Sequence, residues 1–131
     1  MNDMTLHLHP EELLMVREIL HRLVPGREVW AFGSRAGGTP RASSDLDLTV
    51  LGDAPLSVAV SGDLREAFTE SALPFKVDVV DWAETGEPFR EVIRRRYVVI
   101  QHKAAGMWRN RKDLPDFAAV RRSWDEGRPH D

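Results

Sequence analysis

A chain of 131 residues, 42% hydrophobic and 30% charged, suits one soluble globular domain with a real core. The absence of cysteine excludes disulfide frameworks, thiolate zinc sites and cysteine nucleophiles, and a net charge of −3 argues against general nucleic-acid binding. No apolar run approaches the roughly 18–20 residues of a membrane span, and Met1-Asn2-Asp3-Met4 lacks the basic and apolar regions of a signal peptide, so a cytoplasmic protein without membrane contact is expected.

Residues 1–9 read as a short extended lead, in which His7 and His9 share a face without a third metal ligand nearby. A helix is predicted from Pro10 to Val24. Pro10 suits its first position, Glu11 and Glu12 favour the positive end of its dipole, and Pro25-Gly26 stops it. Leu13, Val16, Ile19, Leu20 and Leu23 give it one apolar stripe. The first strand is placed at Arg27 to Phe32, with Trp30 as a packed ring, and a short helix is expected over residues 34–38. A second strand spans Asp45 to Leu51. A helix from Ser57 to Ala72 follows, with Val60, Leu64, Ala67 and Phe68 on its buried face.

The third strand, Lys76 to Val80, runs into Asp81, which reads as a cap rather than a metal ligand. Glu87 to Arg96 is a helix with Phe89, Val92 and Ile93 expected inward and its arginines outward. Tyr97 to Ile100 is a candidate edge strand. Beyond His102 the pattern weakens to one short helix over Asp116 to Trp124. A core over about 10–102, with 103–131 as a C-terminal extension, is the expected domain plan. The alternation makes this an α/β (α+β) domain, a small mixed sheet of three or four strands with helices packed against it. The arginines from Arg90 to Arg96 and the basic residues after them read mainly as a solvated surface.

The chemistry concentrates between Gly33 and Leu48. Gly33 lets the backbone approach a ligand, and Ser34 with the following N–H groups can donate to phosphate oxygens. Arg35 and Arg41 add fixed positive charge, and Ser44 joins them as a nucleotide-binding candidate. Within a strand Asp45 and Asp47 project from one side, while Leu46, Leu48 and Val50 point into a core. Two such carboxylates repel and invite a cation. Mg²⁺ prefers a few carboxylate oxygens together with substrate phosphates. Asp78 faces away from Val77 and Val79, so adjacent second and third strands would bring all three acids together. Three carboxylates at Mg²⁺ beside a phosphate cradle describe phosphoryl or nucleotidyl transfer.

The pattern Gly33-Ser34, ten residues, Asp45-Leu46-Asp47-Leu48, then Asp78 in an apolar strand resembles the nucleotidyltransferase superfamily of the DNA polymerase β type. Within it, the small size and the wording GSRAGGTPRASSDLDL resemble the minimal nucleotidyltransferase (MNT) domains, many of them antitoxins paired with HEPN-domain toxins. The resemblance implies a polymerase β-like fold and an enzyme using Mg²⁺ and ATP or another nucleoside triphosphate. It implies Asp45, Asp47 and Asp78 as catalytic metal ligands, and AMP transfer to a hydroxyl of a HEPN-type partner. Transfer to a small molecule such as an aminoglycoside is one alternative. A non-catalytic module binding through the basic C-terminal third with Trp108 and Trp124 is the other.

Overall fold

The computed structural model describes residues 5–103. Helix α1 (Pro10–Leu23) leads into strand β1 (Val29–Phe32), a long loop and strand β2 (Leu46–Val50). Helix α2 (Val58–Glu70), strand β3 (Val77–Asp81), a single 3₁₀ turn (Trp82–Glu84), helix α3 (Glu87–Arg95) and strand β4 (Tyr97–Gln101) follow. The four strands form one sheet in the order β3-β2-β1-β4. Strand β1 is antiparallel to both β2 and β4, whereas β2 and β3 are parallel. Helix α2 is the crossover that a parallel pair requires.

Local chemistry accounts for the element ends. The Glu12 carboxylate accepts from the His9 N–H at 2.9 Å, and Pro10 opens α1. The Ser57 hydroxyl accepts from the Val60 N–H at 3.1 Å and caps α2. The Asp81 carboxylate accepts from the Ala83 N–H at 3.2 Å and the Leu56 N–H at 2.7 Å, which fixes it as the expected cap at the strand exit.

The two sheet faces have different fates. Val29 and Ala31 of β1, with Leu46, Leu48 and Val50 of β2, turn to one face and are wholly buried. Val16 and Leu20 of α1 and Leu64 and Phe68 of α2 close over them in one cluster. Each fully buried side chain of this size contributes roughly 1.5–3 kcal/mol. Helix α3 lies on the other face, where Ile93 is buried apart from that cluster. Here the structure departs from expectation. Only Ile93 turns fully inward, while Phe89 and Val92 are 43% and 51% exposed. Trp30 lies on this second face as well, stacked on Tyr97 with centroids 3.8 Å apart and edge-on to Trp82. Its indole N–H donates to Glu28 at 2.6 Å, so it is a packed ring, as anticipated. The expected helix over residues 116–124 lies outside the described residues.

Candidate active site

Four residues line up across the second face. Asp78 is the register partner of Asp47, Asp47 of Phe32, and Phe32 of Tyr97. Paired residues point to the same side of a sheet, and neighbouring strands lie roughly 4.8 Å apart, so the two carboxylates stand side by side. The alternation that buries Leu46 and Leu48 on the core face therefore half-exposes Asp47 on the other. Asp45 sits one residue ahead of β2, exposed rather than inside the strand.

The pair is electrostatically loaded. Burial pushes the Asp47 carboxyl above its usual range, and the nearby charges of Asp78 and then Asp45 push the same way. Lys76 stands 3.6 Å from Asp78, but both side chains are largely exposed, and ion pairs of that kind stabilise little. The cluster thus carries a surplus of negative charge that a cation would relieve.

Gly33 forms the wall on the other side. Its φ of +80° belongs to the left-handed region that favours glycine, and a Cβ there would collide with the Asp47 carboxylate. The corner after β1 is thereby pressed against the acid. A cleft of about 560 Å³ opens over these groups. Phe32, Gly33, Asp47, Asp78, Phe89, Val92 and Arg96 line it. The Phe32 and Phe89 rings meet edge to face at 5.7 Å, so α3 forms the hydrophobic lip.

The loop from Gly33 to Ser44 is built differently from expectation. No helix forms over 34–38. The Ala36 N–H donates to Gly33 at 3.0 Å and the Gly38 N–H to Ser34 at 3.1 Å, as successive turns, and Ala36 pairs with Leu6 of the extended lead. Glycines at 37 and 38 explain the failure of helix propagation: Gly37 has a φ of +83°, and a Cβ on Gly38 would strike the Ser34 backbone.

Arg35, expected to face phosphate, instead turns its side chain into the loop. Its guanidinium is buried and donates to four carbonyls: Ser44 at 2.9 Å, His7 at 3.0 Å, Ala42 at 3.1 Å and Arg41 at 3.4 Å. It also lies 4.1 Å over the Phe75 ring. Arg35 is therefore a clamp that holds the lead, the loop and the approach to β3 in one piece. Ser44 is occupied in the same structure, its hydroxyl accepting from the Arg41 N–H at 2.8 Å. Arg41 is exposed and Ser34 is half-exposed. Neither lines the cleft, whereas Gly33 does.

Among the lining residues that sequence reasoning did not place at the site are Phe89, Val92 and Arg96 of the α3 segment. A helical stripe of apolar residues reads as core unless the other face of the sheet is known to stay open. Arg90 and Arg94 are explained locally, since both guanidinium groups lie over the Trp82 ring, at 4.9 and 5.3 Å. Arg94 also pairs with Glu87.

Comparison with known proteins agrees with this geometry. Residues 16–105 match the family model "Polymerase beta, Nucleotidyltransferase". The chain is 52% identical over 98 residues to a probable protein adenylyltransferase, MntA, of Haemophilus influenzae, covering 75% of this chain and 86% of that protein. Among solved structures, a toxin–antitoxin with AMP-PNP aligns with a TM-score of 0.58 at 23% identity, over 90% of this chain and 88% of the other. A complex of tri-AMPylated Shewanella oneidensis HEPN toxin with MNT antitoxin aligns with a TM-score of 0.51 at 19% identity, over 88% and 87%. At these identities the structural likeness speaks for the fold.

Proposed function

The chain belongs to the polymerase β nucleotidyltransferase family, and from that premise we propose that it transfers AMP from ATP to a hydroxyl of a partner protein, acting as the antitoxin that silences a HEPN-type toxin. The observation that carries the chemistry is the register pairing of Asp47 with Asp78 beside the Gly33 corner. The proposal of a protein acceptor is supported by the 52% identity to a probable protein adenylyltransferase.

The donor set fits a divalent cation. Asp47 and Asp78 repel at one edge of the cleft. Burial disfavours the charged form of Asp47, and the more distant charge of Asp45 adds to the effect. Among the described residues no three Asp, Glu or His side chains stand gathered as a ready cage. Mg²⁺ suits such a site because it commonly takes one or two carboxylates and completes its shell with phosphates and water. Asp45, Asp47 and Asp78 would hold it, and it would supply charge neutralisation at the triphosphate.

The protein's own groups do the rest. The Gly33 corner receives the terminal phosphates through backbone N–H donors, with the half-exposed Ser34 hydroxyl next to it at the cleft's margin. Phe89 and Val92 shield one side of the cleft from water. The acceptor hydroxyl attacks the α-phosphorus in line. A new oxygen–phosphorus bond forms, the bond to the bridging oxygen breaks, and pyrophosphate leaves with that electron pair. The hydroxyl proton passes to Asp78, the general base. Incubating the protein with labelled ATP, Mg²⁺ and a HEPN-type partner tests this. The partner should gain AMP, and Asp47→Asn should abolish the gain; label that appears equally with Asp47→Asn would overturn the assignment.

A further inference from the structure

Arg96 stands where α3 hands over to β4, one residue ahead of Tyr97. Tyr97 pairs with Phe32 at the end of the antiparallel ladder, and Arg96 and Gly33 are the residues that adjoin this last pair. Gly33, with the Asp47 carboxylate pressed against it, and Arg96 line the same cleft. Arg96 is exposed and, among the described residues, is the one basic side chain lining the cleft. Its guanidinium has no ion-pair or hydrogen-bond partner among them.

The neighbouring cations are placed otherwise. Arg35 is spent on four carbonyls, Arg90 and Arg94 are packed on Trp82, and Arg41 does not line the cleft. A free guanidinium across from a pair of carboxylates suits a ligand that is anionic yet approaches acids through a bridging cation, which is the charge pattern of a metal-bound polyphosphate. We infer that Arg96 is the phosphate-binding cation of this cleft, engaging the nucleoside triphosphate at the Gly33-Ser34 corner in the place where Arg35 was expected. The inference rests on the nucleotidyltransferase function proposed above.

Equilibrium binding of ATP, AMP and adenosine in Mg²⁺ buffer separates the possibilities, using wild type, Arg96→Ala, Arg96→Lys and the exposed neighbour Arg95→Ala. Loss of one charge-assisted phosphate contact should weaken ATP about ten- to a hundredfold. Adenosine should be unaffected, Arg96→Lys should recover part of the loss, and Arg95→Ala should match wild type. A thermal melt of each variant confirms folding. Unchanged ATP affinity in Arg96→Ala would overturn the inference, and Arg96 would then face the acceptor rather than the phosphates. Equal losses for ATP and adenosine would also overturn it, by marking a scaffold role. If wild type transfers AMP while Arg96→Ala binds ATP normally, only this inference fails. If wild type neither binds ATP nor transfers AMP, the proposed function fails with it.

Discussion

The backbone of Gly33 is pressed so closely against the Asp47 carboxylate that no side chain fits between them. The contact joins the two halves of the sequence signature, the corner after β1 and the acid of β2, through the antiparallel pairing of Phe32 with Asp47. It also makes a direct prediction. Gly33→Ala adds a Cβ that meets the carboxylate and forces a non-glycine residue to a φ of +80°. A stability loss on the order of 1–3 kcal/mol is expected in urea denaturation, with nucleotide transfer abolished because Asp47 is displaced. A fully active Gly33→Ala enzyme would mean that this corner does not position the acid.

Asp47 gives a pH-dependent test. Its folded-state carboxyl titrates above its unfolded value, so between the two the native state holds more protons than the unfolded one. Its contribution to stability therefore falls as pH rises through that window, from near the ordinary aspartate value of 3.8 upward. Asp47→Asn removes this penalty. Its melting temperature relative to wild type should climb between pH 3.5 and pH 7, while transfer is lost. Mg²⁺ with ATP should raise the melting temperature of wild type and not of Asp47→Asn. A variant that is less stable than wild type at pH 7 would show that Asp47 is held by contacts stronger than the repulsion.

Arg35 and Arg41 should separate cleanly. Removing the Arg35 guanidinium leaves four carbonyls without their donor and uncovers Phe75. Arg35→Ala should cost roughly 2–4 kcal/mol in chemical denaturation. Arg41 is exposed, and Arg41→Ala should stay within about 0.5 kcal/mol of wild type. The reverse ranking would place Arg35 at the substrate instead of in the scaffold.

Leu48 and Phe89 form a similar contrast between core and lip. Leu48 is fully buried under α1 and α2, so Leu48→Ala should lose about 2–5 kcal/mol. Phe89 is 43% exposed at the cleft, and Phe89→Ala should cost much less stability while impairing transfer. Calorimetry and a transfer assay on both variants decide the matter. A Phe89→Ala protein as unstable as Leu48→Ala would make Phe89 a core residue.

The linear pattern already contained much of this protein. Helix α1 was legible from its stripe and its proline start, α2 from the apolar face of Val60, Leu64, Ala67 and Phe68, and β2 from the alternation that buries Leu46, Leu48 and Val50 while freeing Asp47. Those features depend on neighbours three or four residues apart at most, which is the range over which periodicity and capping act. The pairing of Asp47 with Asp78 could be imagined but not fixed, because 30 intervening positions and the α2 crossover separate them. What only the tertiary structure decided is how each side chain is spent. Arg35 looks like a phosphate ligand until four distant carbonyls converge on it, and Phe89 and Val92 look like core until one sheet face proves to be left open. Burial and partnership are properties of the assembled sheet, and no local run of residues encodes which of two apolar stripes will be covered.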